Sequence, residues 1–212
     1  MGLAGDRRAR LVEGGDQLLD VVLDSLLRYG RKLRGETPAA FMLWDRQAAG
    51  GFRPKEEERL SDALKLHLTD DLAGRGIVAN REVVVRPGAA GEPGERTDIL
   101  VDAIIRGPRS GLLDRVVEVV EVKGCWNRGV LTAMRDQLLG RSMTDGSCRH
   151  GLYAVGWFPG DQWDDGDPRK HAARRGLGVS IGEARARLDA QAAELSGGGR
   201  RVAALILDCT LS

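Results

Sequence analysis

Cysteine is scarce in this chain. Its three cysteines, Cys125, Cys148 and Cys209, are widely spaced and none belongs to a CxxC pair. That excludes a disulfide framework and a cysteine-rich zinc site. Cys148 lies close to His150, but two ligands do not make a tetrahedral site, and the cysteines are expected to pack as small hydrophobes. Aromatic residues make up only 4% of the chain, which argues against broad base-stacking as a binding mode. No run reaches about 18 consecutive apolar residues, so no membrane span is expected. The start, MGLAGDRRAR, lacks the apolar stretch and small-residue cleavage site of a secretory signal, and a cytoplasmic protein is expected. An excess of either charge is also missing: 32 basic and 31 acidic residues leave a net charge of +1. The sum therefore neither requires nor forbids a nucleic-acid partner, because the distribution of charge decides that. What remains is ordinary for a globular chain. Residues are 42% hydrophobic and 30% charged over 212 positions, enough for one buried core with an appendage.

Apolar periodicity predicts a helix over residues 6–35, with Leu18, Leu19, Val22, Leu23, Leu26 and Leu27 at three- and four-residue spacing. Arg31, Lys32 and Arg34 suit its C-terminal dipole and Gly35 stops it. A short helix is expected at 39–47. Residues 48–54, with two glycines and Pro54, read as a linker or turn. A second helix is predicted over 55–73, with Leu60, Leu64, Leu66, Leu68 and Leu72 as its apolar face and Glu56–Glu58 at its start. Strands are predicted at 77–86, 98–106, 115–123, 150–158 and 201–209, and further helices at 129–143 and 180–196. The segments 87–96 and 107–111 read as a loop and a turn. A helix between two strands marks a parallel crossover, so the expected fold class is α/β, a mixed β-sheet flanked by helices. Residues 1–50 are expected to be an N-terminal helical extension and 51–212 the core domain.

The chemistry is concentrated in Val119–Lys123. Alternate strand residues share a face, so Glu121 and Lys123 point one way and Val120 and Val122 the other. Unpaired charge is costly to bury, so the two must pair, reach solvent or serve a site; the plain alternative is a surface ion pair of little energetic weight. Asp98 opens the preceding strand. If 98–106 and 115–123 pair antiparallel, Asp98 falls beside Lys123 and near Glu121. Two carboxylates and a nearby carbonyl, with Val122 the candidate, suit a Mg²⁺ (or Mn²⁺) ion that keeps several waters. A lysine there can position or deprotonate an attacking water and screen phosphate charge.

Asp98 followed by Glu121-Val-Lys123 at the end of a valine-rich strand resembles the Asp…Glu-x-Lys signature of the PD-(D/E)XK, or restriction-endonuclease-like, nucleases. The predicted order of helix, three strands, helix and strand resembles that superfamily's core over about half the chain. The stretches EVKGCWN, MRDQLLGR and HGLYAVGWF resemble a bacterial branch whose members occur alone or fused to sensor and ATPase modules in phage-defence proteins. The resemblance implies a metal-dependent nuclease acting on DNA, with RNA or single strands as alternatives, and a non-cutting scaffold as the rival class. A homo-oligomer or a partner sensor ATPase module is implied as well. It also implies a glutamate on the first core helix, best matched by Glu58 with Glu57 and Asp62 as competitors, and a glutamine on the following helix, matched by Gln137. The tyrosine some members carry four or five residues later is absent here, where Arg141, Ser142 and Met143 stand.

Arg128 and Arg135 on the following helix, and the cluster Arg169, Lys170, Arg174 and Arg175, are candidate phosphate contacts. Asp161, Asp164, Asp165 and Asp167 just before that cluster favour a solvated loop of mixed charge instead. Trp126, Trp157, Phe158 and Trp163 are expected to pack rather than stack on bases.

Overall fold

The computed structural model describes residues 12–35, 38–48, 50–86, 95–106, 113–144, 148–176 and 179–211. Helix α1 spans Gly15–Leu33, with Asp16 in its first turn and Arg31 and Lys32 in its last, charges that complement the helix dipole. It starts later than the periodicity predicts, since Val12 and Glu13 are not helical and residues 6–11 lie outside the described set. A 3₁₀ turn at Ala39–Leu43 replaces the short helix expected at 39–47. The stretch read as a linker or turn holds a hairpin turn and the strand after it: β1 (Trp44–Arg46) pairs antiparallel with β2 (Phe52–Pro54). Helix α2 spans Glu57–Asp71.

The main sheet has five strands in the order β3 (Ile77–Arg86), β4 (Glu95–Arg106), β5 (Leu113–Gly124), β6 (His150–Trp157) and β7 (Arg201–Asp208). Its first three strands are antiparallel, and β6 and β7 join parallel to β5. The mixed sheet expected from the helix-between-strands pattern is therefore present. Residues 129–143 were expected to be an α-helix; the chain instead makes turns and then a π-helical segment, Met134–Ser142, whose buried residues Met134, Leu138 and Ser142 recur every four positions. Helix α3 (Arg169–Gly176) lies in a segment for which charge alone gave no element. Helix α4 (Ile181–Leu195) begins with a capping box: the Ser180 hydroxyl accepts from the Glu183 amide, and the Glu183 carboxylate accepts from the Ser180 amide, which satisfies two otherwise orphaned donors.

Helices cover both faces of the sheet. Leu18, Leu19, Val22, Leu26 and Leu33 of α1 are fully buried in the same core as Val120, Leu152 and Leu205 of the strands, each such leucine contributing roughly 1.5–3 kcal/mol. The first helix is thus part of the core against β5, β6 and β7, although residues 1–50 read as an extension. On α2, Leu60, Leu64, Leu68 and Leu72 are buried as expected, whereas Leu66 is 60% exposed and leaves the predicted face. Gly156 lets α2 approach β6, since a Cβ there would sit 2.6 Å from Leu60. The π-helical segment and α4 pack on the other face, with Leu138 and Met143 over Gly151. Trp44, Trp126, Phe158 and Trp163 form an edge-to-face cluster with ring centroids 5.2–6.3 Å apart, with Arg169 over Trp126. Trp126, Phe158 and Trp163 pack as the sequence implied, whereas Trp157 is only half-buried. The three cysteines are buried.

Candidate functional site

The sheet forks at one end. β4 and β5 are paired as far as Ile99 and Val120. Beyond that point β4 pairs only with β3, through Thr97 and Val83, and β5 only with β6, as far as Gly124 and Gly156. Glu82, across from Asp98, has a φ of 51°. That is left-handed backbone, costly for a residue with a side chain, and it interrupts β3 where the strands part. Asp98 and Glu121 stand on the two arms of the fork, one residue beyond the last main-chain pair and on the same face.

Asp98 bridges the gap. Its Oδ2 accepts a hydrogen bond from the Val122 amide at 2.8 Å, a donor that the departing β4 no longer serves. Lys123 Nζ donates to Glu121 Oε1 at 2.6 Å and lies 3.7 Å from Asp98 Oδ2. Both predicted acids therefore meet one ammonium. Lys123 and Glu121 are buried, while the Asp98 side chain is 31% exposed and opens the centre to solvent. Val122 adds its N–H, and its side chain is buried on the opposite face.

A third carboxylate arrives from α2, and it belongs to Glu57 rather than Glu58. Glu57 Oε1 accepts from the Gly124 amide and from Asn127 Nδ2, both at 2.9 Å, and Oε2 from the same amide nitrogen at 3.1 Å. Asn127 is held in turn by the Gly129 amide, which donates to its Oδ1 at 2.8 Å. Glu58 is exposed and lines a separate groove of mixed charge with Lys55, Arg59 and Arg81. The reason is helical geometry: Glu57 shares the stripe of Leu60, Ser61 and Leu64, which faces inward, and Glu58 lies about 100° further round. Asp62 also faces outward, paired with Arg81 at 3.1 Å.

The electrostatics follow from three acids around one buried cation. Burial and then Asp98 push the Glu121 carboxyl up to about 7, against the pull of Lys123. Burial raises Glu57 too, opposed by its bonds to Gly124 and Asn127. Burial alone would lower Lys123, but Glu121 and Asp98 outweigh it and hold the ammonium charged. Tyr153, the β6 partner of Glu121, is fully buried; its hydroxyl donates to the Val130 carbonyl at 2.7 Å. Burial and the surrounding acids keep that phenol protonated.

The remaining candidates divide. Gln137 is half-buried on the π-helical segment that covers this face, but among the described residues no hydrogen bond joins it to the centre. Arg128 is exposed. Arg135 is exposed and pairs with Glu194 of α4 at 3.0 Å. Lys170 is buried, and its Nζ donates to the Trp163 carbonyl and to Asp165 at 3.0 and 2.7 Å. Arg169 is tied to Asp167 and Glu56. Arg174 is exposed, and the side chain of Arg175 lies outside the described residues.

No protein-family model, curated protein or solved structure matches this chain. Among the described residues, no three His, Cys, Asp or Glu side chains are gathered so as to hold a metal ion, and no helix is long and apolar enough to cross a membrane.

Sequence reasoning left out Asn127 and Tyr153, which have no charge to signal them, and Glu118. On the opposite sheet face, Glu118 is fully buried with neither carboxyl oxygen hydrogen-bonded among the described residues. Burial raises its carboxyl well above the ordinary range, with Arg201 opposing and Asp20 adding to the effect.

Proposed function

We propose that the protein is a divalent-metal-dependent nuclease of the PD-(D/E)XK type that hydrolyses phosphodiester bonds in DNA. The observation that carries this reading is the convergence of Asp98, Glu121 and Glu57 around Lys123 at the fork between β4 and β5. The element order α2, β3, β4, β5, helical segment, β6 supports the resemblance in its restriction-endonuclease-like form. By the same resemblance the protein serves as an effector in defence against phage, alone or with a sensor ATPase partner.

The donor set fits Mg²⁺ or Mn²⁺. Asp98 and Glu121 share the Lys123 ammonium, and burial and then Asp98 push Glu121 up to about 7. The oxygens of Asp98 and Glu121, with the Val122 carbonyl, would hold the ion. Mg²⁺ needs only one or two protein carboxylates, because waters and substrate phosphate complete its shell; that no three-residue cluster is gathered among the described residues is compatible with that. When bound, the ion supplies Lewis acidity toward a phosphate oxygen and a more acidic water. Lys123 keeps the two acids together and presents its ammonium to the charge that builds on the phosphate. Glu57, fixed by Gly124 and Asn127, stands ready as a proton acceptor for the attacking water, whose addition at phosphorus expels the sugar oxygen as the leaving group.

Supercoiled plasmid incubated with Mg²⁺, with Mn²⁺ and with EDTA tests the reading, with Asp98→Asn as control. Nicking or linearisation by the wild type with metal, lost with EDTA and in Asp98→Asn, is the expected result. Cleavage of RNA or single strands in place of plasmid would move the substrate class. Binding without cleavage under every metal tried would replace the nuclease by a scaffold of the same fold.

A further inference from the structure

The carboxyl ends of β5 and β6, where ligands commonly sit in open α/β sheets, enclose a second feature. Cys125, Trp157, Phe158, Pro159 and Val179 wall a cavity of about 350 Å³, with Arg174 as the charged residue of its lining. That size suits a small organic group. The cavity begins at Cys125, directly after the Gly124 amide that holds Glu57, so it shares a corner with the acid centre. Its chemistry is that of binding. The Cys125 thiol is bonded to the Phe158 carbonyl, and burial pushes it up to about 12, which leaves it inert as a nucleophile.

Charge selects the occupant. Arg169 and Lys170 of α3 are committed to Asp167, Glu56 and Asp165. Arg174, on the same helix, forms no ion pair with any carboxylate among the described residues and lies over Gly160. An apolar recess with aromatic walls and one uncommitted guanidinium complements a flat ring carrying an anionic group. We propose that this cavity receives one unstacked nucleotide of the substrate strand, its base against Trp157, Phe158 and Val179 and its phosphate on Arg174. The inference rests on the nucleic-acid reading of the neighbouring centre. On a duplex substrate it requires one nucleotide to leave the stack and enter this corner as the strand is bound.

Isothermal calorimetry in EDTA tests the cavity without any cleavage, using dAMP, deoxyribose 5-phosphate and deoxyadenosine as probes. The wild type is expected to bind dAMP at least about tenfold more tightly than deoxyribose 5-phosphate, the effect of one stacked base. Arg174→Ala is expected to weaken dAMP about tenfold, the loss of a charge-assisted contact, and Val179→Trp to abolish binding by filling the space. Should Val179→Trp fail to fold, Arg174→Glu at an exposed position carries the test, with a loss larger than that of Arg174→Ala. Equal affinity for dAMP and deoxyribose 5-phosphate, or binding indifferent to these substitutions, overturns the proposal. Tight dAMP binding without metal-dependent cleavage would keep the cavity and refute the nuclease; cleavage without dAMP binding would do the reverse.

Discussion

Replacing Lys123 by Met keeps the length and apolar stem of the side chain and removes its charge. In the folded protein the ammonium lies 2.6 Å from Glu121 and 3.7 Å from Asp98. At an effective dielectric near 20, those distances correspond to gross attractions of roughly 6 and 4 kcal/mol. Desolvation of the buried groups cancels most of this, and breaking a buried pair by removing one partner typically costs about 3–5 kcal/mol. Two features hold the loss near the lower end. Asp98 is partly solvated, and Glu121, already pushed up to about 7, can take a proton instead of standing charged and alone. A stability loss of about 3 kcal/mol is therefore expected, or roughly 6–12 °C in Tm for a chain of this size. Cleavage is expected to fall about a hundred- to a thousand-fold, as when one preorganised electrostatic contact to the transition state is lost. DNA affinity should change little, because exposed arginines such as Arg128 remain. Thermal melts, a filter-binding titration and plasmid cleavage at a temperature well below both melting points separate the effects. A variant with wild-type cleavage would refute the assignment of Lys123 to the reaction. A variant with wild-type Tm would refute the buried triad itself.

Glu57→Gln should depress cleavage at least a hundred-fold while Glu58→Gln leaves it unchanged; equal effects in plasmid assays would return both to the helix surface. Asn127→Ala removes both bonds that steady Glu57 from that side and should lower kcat more than it raises KM, which steady-state kinetics on an oligonucleotide would show. Glu118 should give a pH signature. Its folded-state carboxyl is raised by burial, so between the unfolded value near ~4.3 and its own higher value the unfolded chain releases a proton that the folded chain keeps. Stability from this group therefore declines as pH rises, by up to about 1.4 kcal/mol per pH unit, and Glu118→Gln should flatten that decline and be the more stable protein at pH 8 in urea unfolding. Lys170→Met should lower Tm without altering the salt dependence of DNA binding, since its ammonium is spent on Trp163 and Asp165; a reduced salt slope would restore it as a phosphate contact.

Much of the centre was legible because strands have a period of two. Glu121 and Lys123 had to share a face, and antiparallel pairing of their strand with the one headed by Asp98 followed from the turn between them. The helix glutamate was harder to place, since Glu56, Glu57 and Glu58 are chemically equal. Their spacing from Leu60 and Leu64 carried the answer: three and seven residues back from those leucines is position 57. Other features left weaker traces. The β1–β2 hairpin hides among glycines that also read as a linker. The π-helical segment follows no 3.6-residue period, and Asn127 acts through hydrogen bonds that depend on where its loop runs. Lys170 looked like a solvated cation because sequence does not reveal that Trp163 and Asp165 close around it.

The single bond between the Val122 amide and the Asp98 carboxylate works as a caliper. The acids of the centre are mounted on separate arms, Asp98 on β4 and Glu121 on β5, and no main-chain ladder fixes their spacing past Ile99 and Val120. Anything that splays the arms, whether a strand wedged between them or a partner tugging the edge strand β3, would draw the two carboxylates apart and disarm the centre without touching a reacting group. A load applied further along the β3–β4 hairpin would thus be felt as a change in the separation of two oxygen donors, which gives the centre a mechanical input that no substitution at the centre itself would reproduce.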